Sequence, residues 1–76
     1  MKRDEVLACV GKICKAARRR EGYSQLDASL DTGYCLTNVS GFERGVNNNA
    51  TVFMWYLRVL TPEELEDIRG VTHEID

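Results

Sequence analysis

The stretch Gly22-Tyr23-Ser24-Gln25, followed by Gly33 and then by Phe42-Glu43-Arg44-Gly45, decides how this chain is read. Glycine adopts the left-handed backbone that ends a helix without steric cost, so Gly22, Gly33 and Gly45 read as three stops. Ser24, three positions before Asp27, is a capping-box-like start: its hydroxyl can accept from the Asp27 backbone N–H while the carboxylate reaches back. The spacing predicts a short helix over residues 25–32, a sharp turn at Gly33, and a second short helix over residues 36–44. Leu36, Val39 and Phe42 supply the apolar contacts of that second helix. Gly41 weakens it by about 1 kcal/mol relative to alanine.

Working outward, Val6, Val10, Ile13, Cys14 and Ala17 recur at helical spacing, with Lys12, Lys15, Arg19 and Arg20 mostly on other faces. An amphipathic first helix over residues 4–21, ended by Gly22, is expected. Beyond Gly45, residues 46–50 read as a polar loop. The pattern becomes helical again over residues 51–60, where Phe53, Tyr56, Leu57 and Leu60 share a side and Met54 and Trp55 face elsewhere. Thr61-Pro62-Glu63-Glu64 combines an N-cap threonine, proline at the first helical position and a capping-box glutamate. It opens a fifth helix over residues 62–69, stopped at Gly70, with 71–76 left as a tail or dimer arm.

A chain of 76 residues that is 43% hydrophobic has room for one domain with one small core. The fold class expected is all-α, a five-helix domain over residues 1–70. No run of about 18 apolar residues occurs, and the charged start is followed by too short an apolar stretch for a signal peptide. A cytoplasmic protein with no membrane association is expected. Cys9, Cys14 and Cys35 have no CxxC spacing, and the one histidine is His73. No structural zinc site is therefore expected. Cys9 and Cys14 point to different faces of one helix and cannot be bridged without distorting it, so free thiols are the reading.

The formal net charge is −2, but it is unevenly distributed. Residues 1–60 carry nine basic against six acidic side chains, a local +3, whereas residues 61–76 carry Arg69 against six acids, a local −5. With a Debye length of about 8 Å at physiological salt, a phosphate near the first segment would feel its local charge more than the distant acidic end.

Arg18, Gly22, Ser24-Gln25, Gly33 and Glu43-Arg44-Gly45, at this spacing, resemble the Cro/repressor class of helix-turn-helix proteins, the XRE family of phage repressors, antitoxins and restriction–modification controllers. Residues 14–60 follow the family pattern without insertion. The resemblance implies a lambda-repressor-like helix-turn-helix domain whose second motif helix enters the DNA major groove with its N-terminal side chains on base edges. It places Leu36, Thr37, Asn38 and Gly41 at base-facing positions. Asn38 could pair bidentately with adenine, Thr37 could use its hydroxyl or methyl, and Leu36 suits a thymine methyl or else belongs to the core. Gly41 brings no side chain, so DNA shape would carry part of the readout.

By the same resemblance Gln25, Arg44, Asn47 and Asn48 are phosphate contacts. Arg19, with Lys12, Lys15 and Arg20, would add charge. Arg18 and Glu43 would form an internal ion pair between the first helix and the end of the reading helix. The pattern is broken at Ala28 and Thr32, where larger aliphatic residues are usual, and at Cys35, where serine or threonine is the usual N-cap. Thr37 could then cap a shorter helix.

The function expected is a sequence-specific transcriptional regulator, first of all a phage Cro-like repressor, acting as a homodimer on a pseudo-palindromic double-stranded operator. Met54 and Trp55, off the expected core stripe, are the candidate dimer anchors, and the family's dimers commonly form through the region that corresponds here to residues 53–75. The other readings are a restriction–modification controller or antitoxin-type autoregulator, and a helix-turn-helix module that binds a protein and antagonises another regulator. No nucleophile–base pair, metal spacing or glycine-rich phosphate loop is visible, so neither an enzyme nor a cofactor is expected.

Overall fold

The computed structural model describes residues 1–74; Ile75 and Asp76 lie outside the described residues. Five helices follow in order, α1 (Arg3–Arg20), α2 (Gln25–Thr32), α3 (Leu36–Glu43), α4 (Ala50–Tyr56) and α5 (Pro62–Thr72), with no strand among the described residues. The fold is all-α. None of these helices is long and apolar enough to cross a membrane.

The local signals act where they were read. Gly22 and Gly33 take φ of 80° and 78°, closing α1 and α2. The Ser24–Asp27 and Thr61–Glu64 capping boxes are both formed in full, which satisfies backbone N–H groups that the first turns of α2 and α5 would otherwise leave unpaired. Cys35 caps α3 by position alone, with no side-chain bond, and α3 starts at Leu36 rather than being shortened to Thr37.

Two boundaries differ from expectation. Gly70 does not stop α5, which runs on to Thr72 with His73 as its C-cap. A lone glycine weakens a helix without breaking it, and Gly70 keeps ordinary helical backbone here. The first residues of the expected tail are thus helical, and its last two fall outside the described residues. Helix α4 ends early, at Tyr56, and turns a different face inward. Val52, Trp55 and Tyr56 are buried, Phe53 is half-buried and Leu57 is exposed.

Two stripes of α4 have the same helical period, and Trp55 decides between them. Its ring is only 5% exposed, packed edge-on against Tyr56 at 5.1 Å and Tyr23 at 5.5 Å. Its indole N–H donates to Asp31 Oδ2 at 2.9 Å, which meets the polar requirement that makes burial of a tryptophan favourable. Trp55 is therefore a core residue joining α4 to α2 and not an exposed dimer anchor. Met54 does face outward, as expected.

Helix α1 packs on α3, α4 and α5, and α2 packs on α3 and α4. The approach of α1 to α3 is close enough to require glycine. A Cβ on Gly11 would collide with the Glu43 carbonyl and lie 2.8 Å from that of Phe42, and one on Gly45, at φ 77°, would lie 2.6 Å from Ala8 Cα. Arg20 fixes the far end of α1, donating to Glu64 Oε2 at 2.6 Å and to the Val59 carbonyl at 2.6 Å.

Gly11 and Gly70 make opposite predictions. Gly11→Ala should lower unfolding free energy in urea by about 1–3 kcal/mol, the usual cost of overpacking. Gly70→Ala meets open space and should raise it by about 0.5–1 kcal/mol through helix propensity.

Candidate nucleic-acid interface

Helices α2 and α3 pack on each other across the turn at residues 33–35. That turn is held from within: Thr32 Oγ1 donates back to the Ala28 carbonyl at 2.7 Å, and Ser29 Oγ donates to the Tyr34 carbonyl at 2.6 Å. Ala28 is fully buried. The C-terminal end of α3 is fixed by a buried cluster around Glu43. Arg18 donates through Nε to Oε2 at 2.7 Å and through Nη2 to Oε1 at 3.1 Å, a forked pairing. Gln25 Nε2 donates to Oε1 at 2.9 Å, the Tyr56 hydroxyl donates to Oε2, and Arg18 Nη1 donates to the Tyr23 carbonyl at 2.7 Å.

One carboxylate thus ties α1, α2, α3 and α4 together. Burial disfavours its charge, but the hydrogen bonds from Arg18, Tyr56 and Gln25 outweigh that and hold the Glu43 carboxyl below the usual carboxylate range. The Tyr56 hydroxyl moves the other way, raised by burial and by its bond to Glu43. Burial, with Glu43 and Glu64 nearby, also pushes the Cys14 thiol up to about 12, which leaves it a packing residue and not a reactive thiolate.

With one face of α3 anchored through Val39, Phe42 and Glu43, its 3.6-residue period turns Thr37 and Arg44 outward, with half-buried Ser40 at the edge of their stripe, and puts Leu36 and Asn38 on the flanks. Thr37 and Arg44 are exposed, and neither they nor the Ser40 hydroxyl has a side-chain partner among the described residues. Leu36 is 47% exposed, so it is a surface residue and not part of the core. Ser40 was missed in the sequence, although its position three residues after Thr37 carries the signal.

Gly41 is not an open base-facing position. It is buried, and the place of its absent Cβ lies 3.0 Å from Asn47 Nδ2, so the α3–α4 loop covers it. Asn47 is held by its own chain, donating to the Asn38 carbonyl at 3.1 Å and accepting from the Asn49 N–H at 3.1 Å. Its amide organises the loop. Gln25 is likewise turned inward, its amide nitrogen given to Glu43. The Asp27 carboxylate stands at the same helix start, bonded to the Ser24 N–H at 2.8 Å. Of the donors expected to meet phosphate, Arg44, Asn48 and, on α1, Arg19, Lys12 and Lys15 are exposed, none of them in an ion pair among the described residues. Arg20 is committed to α5.

The outer face of α2 is apolar. Leu26 and Leu30, four residues apart on the side away from Ala28, are 55% and 73% exposed. Among the described residues no group of His, Cys, Asp and Glu could hold a metal ion. No family model matches the chain, and no curated protein or solved structure matches it significantly.

The Glu43 cluster has measurable consequences. Arg18→Ala should cost about 3–5 kcal/mol of unfolding free energy, because it strands a buried carboxylate, and the Arg18→Ala/Glu43→Ala pair should lose less than the sum of the single losses. Tyr56→Phe should cost about 1.5–3 kcal/mol, the range for a hydrogen bond to a charged group. Because the folded-state pKa of Glu43 is depressed, its contribution is fully present above its unfolded value of about 4.3 and is lost as pH falls through the folded value. Urea melts of the parent and of Glu43→Gln should therefore converge as the pH is lowered below about 4.

Proposed function

We propose that this chain is a sequence-specific double-stranded DNA-binding regulator of the XRE type, a cytoplasmic protein that acts as a homodimer on a pseudo-palindromic operator in the manner of a Cro-like repressor. The observation that carries the reading is the treatment of α3. An eight-residue helix, too short to be stable alone, is immobilised by a buried five-bond cluster while its outward stripe of Thr37, Ser40 and Arg44 is left unpartnered. Rigid presentation of a short polar helix face suits insertion into a major groove, where side chains must meet base edges in fixed register.

Charge placement supports it. Helix α5, which holds Glu63, Glu64, Glu66 and Asp67, packs on α1 and makes no packing contact with α2 or α3. The acidic segment is thereby kept from the groove-facing helix, and Arg44 with the α1 cations supplies the phosphate attraction. With Trp55 in the core, the dimer surface reduces to Met54 and its exposed neighbour Leu57.

A second reading has its own observation. The exposed pair Leu26 and Leu30 on α2, with no basic residue on that helix, suits a protein partner better than a phosphate backbone. In that reading the chain antagonises another regulator. Restriction–modification controller and antitoxin roles share the DNA-binding chemistry of the first.

Selection from a randomised duplex library, followed by titrations at several salt concentrations, tests the proposal. On the selected sequence Thr37→Ala should lose about 1–3 kcal/mol and relax preference at one position. Arg44→Ala should weaken all sequences and lower the slope of log K against log salt by about 0.9. Leu26→Ser/Leu30→Ser should leave these values unchanged. Failure to enrich any sequence, at low salt as well as physiological salt, would favour the protein-binding reading.

A further inference from the structure

Asn38 occupies a flank of α3, and its side chain does not stand alone. Asn49 is the N-cap of α4, and its Oδ1 accepts from the Val52 backbone N–H at 3.0 Å. An N-cap must present an oxygen, because the first-turn groups it satisfies are donors. That requirement fixes the whole amide of Asn49 and turns its nitrogen to the other side, where Nδ2 donates to Asn38 Oδ1 at 3.3 Å. Asn38 must therefore offer its oxygen inward. Among the described residues its Nδ2 has no partner and no buried side-chain nitrogen or oxygen lacks one, so that nitrogen is open to solvent.

The geometry points to Asn49 as a specificity-determining positioning residue, which locks Asn38 so that it faces the groove with donors only. The inference rests on the DNA-reading role of α3. Asparagine is otherwise ambivalent, able to pair bidentately with adenine by giving a donor to N7 and taking one from N6. Held as it is, Asn38 forfeits that pairing. Its NH2 group matches best the edges that present acceptors alone, guanine O6 and N7 or thymine O4; at adenine it meets N7 but leaves the neighbouring N6 donor unanswered, and it is mismatched to cytosine, which presents only the N4 donor. Polarity is thus passed from a helix cap through two side-chain amides to a base edge.

The test uses the full chain and three variants. Asn38→Ala identifies the base position, as the one whose preference disappears in library selection. At that position the parent should favour guanine or thymine over cytosine by about five-fold or more, the scale of one good base contact. Asn49→Asp keeps an oxygen for the α4 cap but offers Asn38 only acceptors. Asn38 should then swing its amide round and present its oxygen, moving the preference to adenine or cytosine whatever happens to overall affinity. Asn49→Ser keeps a cap and releases Asn38, which should broaden the preference and admit adenine.

Side-chain amide exchange by NMR checks the lock without DNA. The Asn38 NH2 protons should exchange freely in the parent and become protected in Asn49→Asp. Adenine as the parent's preferred base, an unchanged preference in Asn49→Asp, or Asn38 protons already protected in the parent would each overturn the assignment of Asn49 while leaving DNA binding intact. A parent chain that enriches no sequence would overturn both together.

Discussion

The forked pairing of Arg18 with Glu43 is the constraint on which the rest of this small structure depends. A buried carboxylate is costly unless its oxygens are satisfied, and here Arg18, Gln25 and Tyr56 supply donors from three different helices. Meeting that requirement brings α1, α2 and α4 to the C-terminal end of α3. Two further features follow from it. Gly11 and Gly45 must lack side chains because α1 and α3 approach so closely, and Tyr56 must lie inward, where its ring stacks on Phe42.

The fold also separates bonded from unpartnered polar groups. Gln25, Asn47 and Arg20, each of which reads on paper as a donor for phosphate, are bonded within the fold. Thr37, Ser40 and Arg44 are not. A surface of this kind holds little charge of its own, and an interaction with DNA through it would draw on hydrogen bonding and shape at the base edges as much as on counterion release. The exposed leucines of α2 set the alternative use of the same scaffold.

Much of the fold was legible because its signals are local. Capping boxes at Ser24 and Thr61 and left-handed glycines at 22 and 33 act within four or five residues of chain, and each did what its chemistry implies. The Arg18–Glu43 contact was legible only by family resemblance, since nothing local joins residues 25 positions apart. What could not be read were choices between equal periodicities and between equal hydrogen-bonding roles. Helix α4 offers two apolar stripes, and the one used is selected by Asp31, twenty-four residues away, which accepts the Trp55 indole proton. Gly41 reads as an empty base-facing position until the loop that fills it is seen. Asn38, Asn47 and Asn49 are three amides whose inward and outward atoms are assigned only by their contacts with one another and with the α4 cap.

In the proposed DNA-bound state the outward stripe of α3 meets DNA while α5 stays clear of it. Backbone amide shift mapping on isotope-labelled protein, titrated with a library-selected duplex, tests this most directly. The largest changes are expected to cluster at Thr37, Ser40 and Arg44, with the flank at Asn38 included and residues of α5 unmoved on the face away from α1. Changes centred on Leu26 and Leu30 without α3, or on the acidic face of α5, would contradict it.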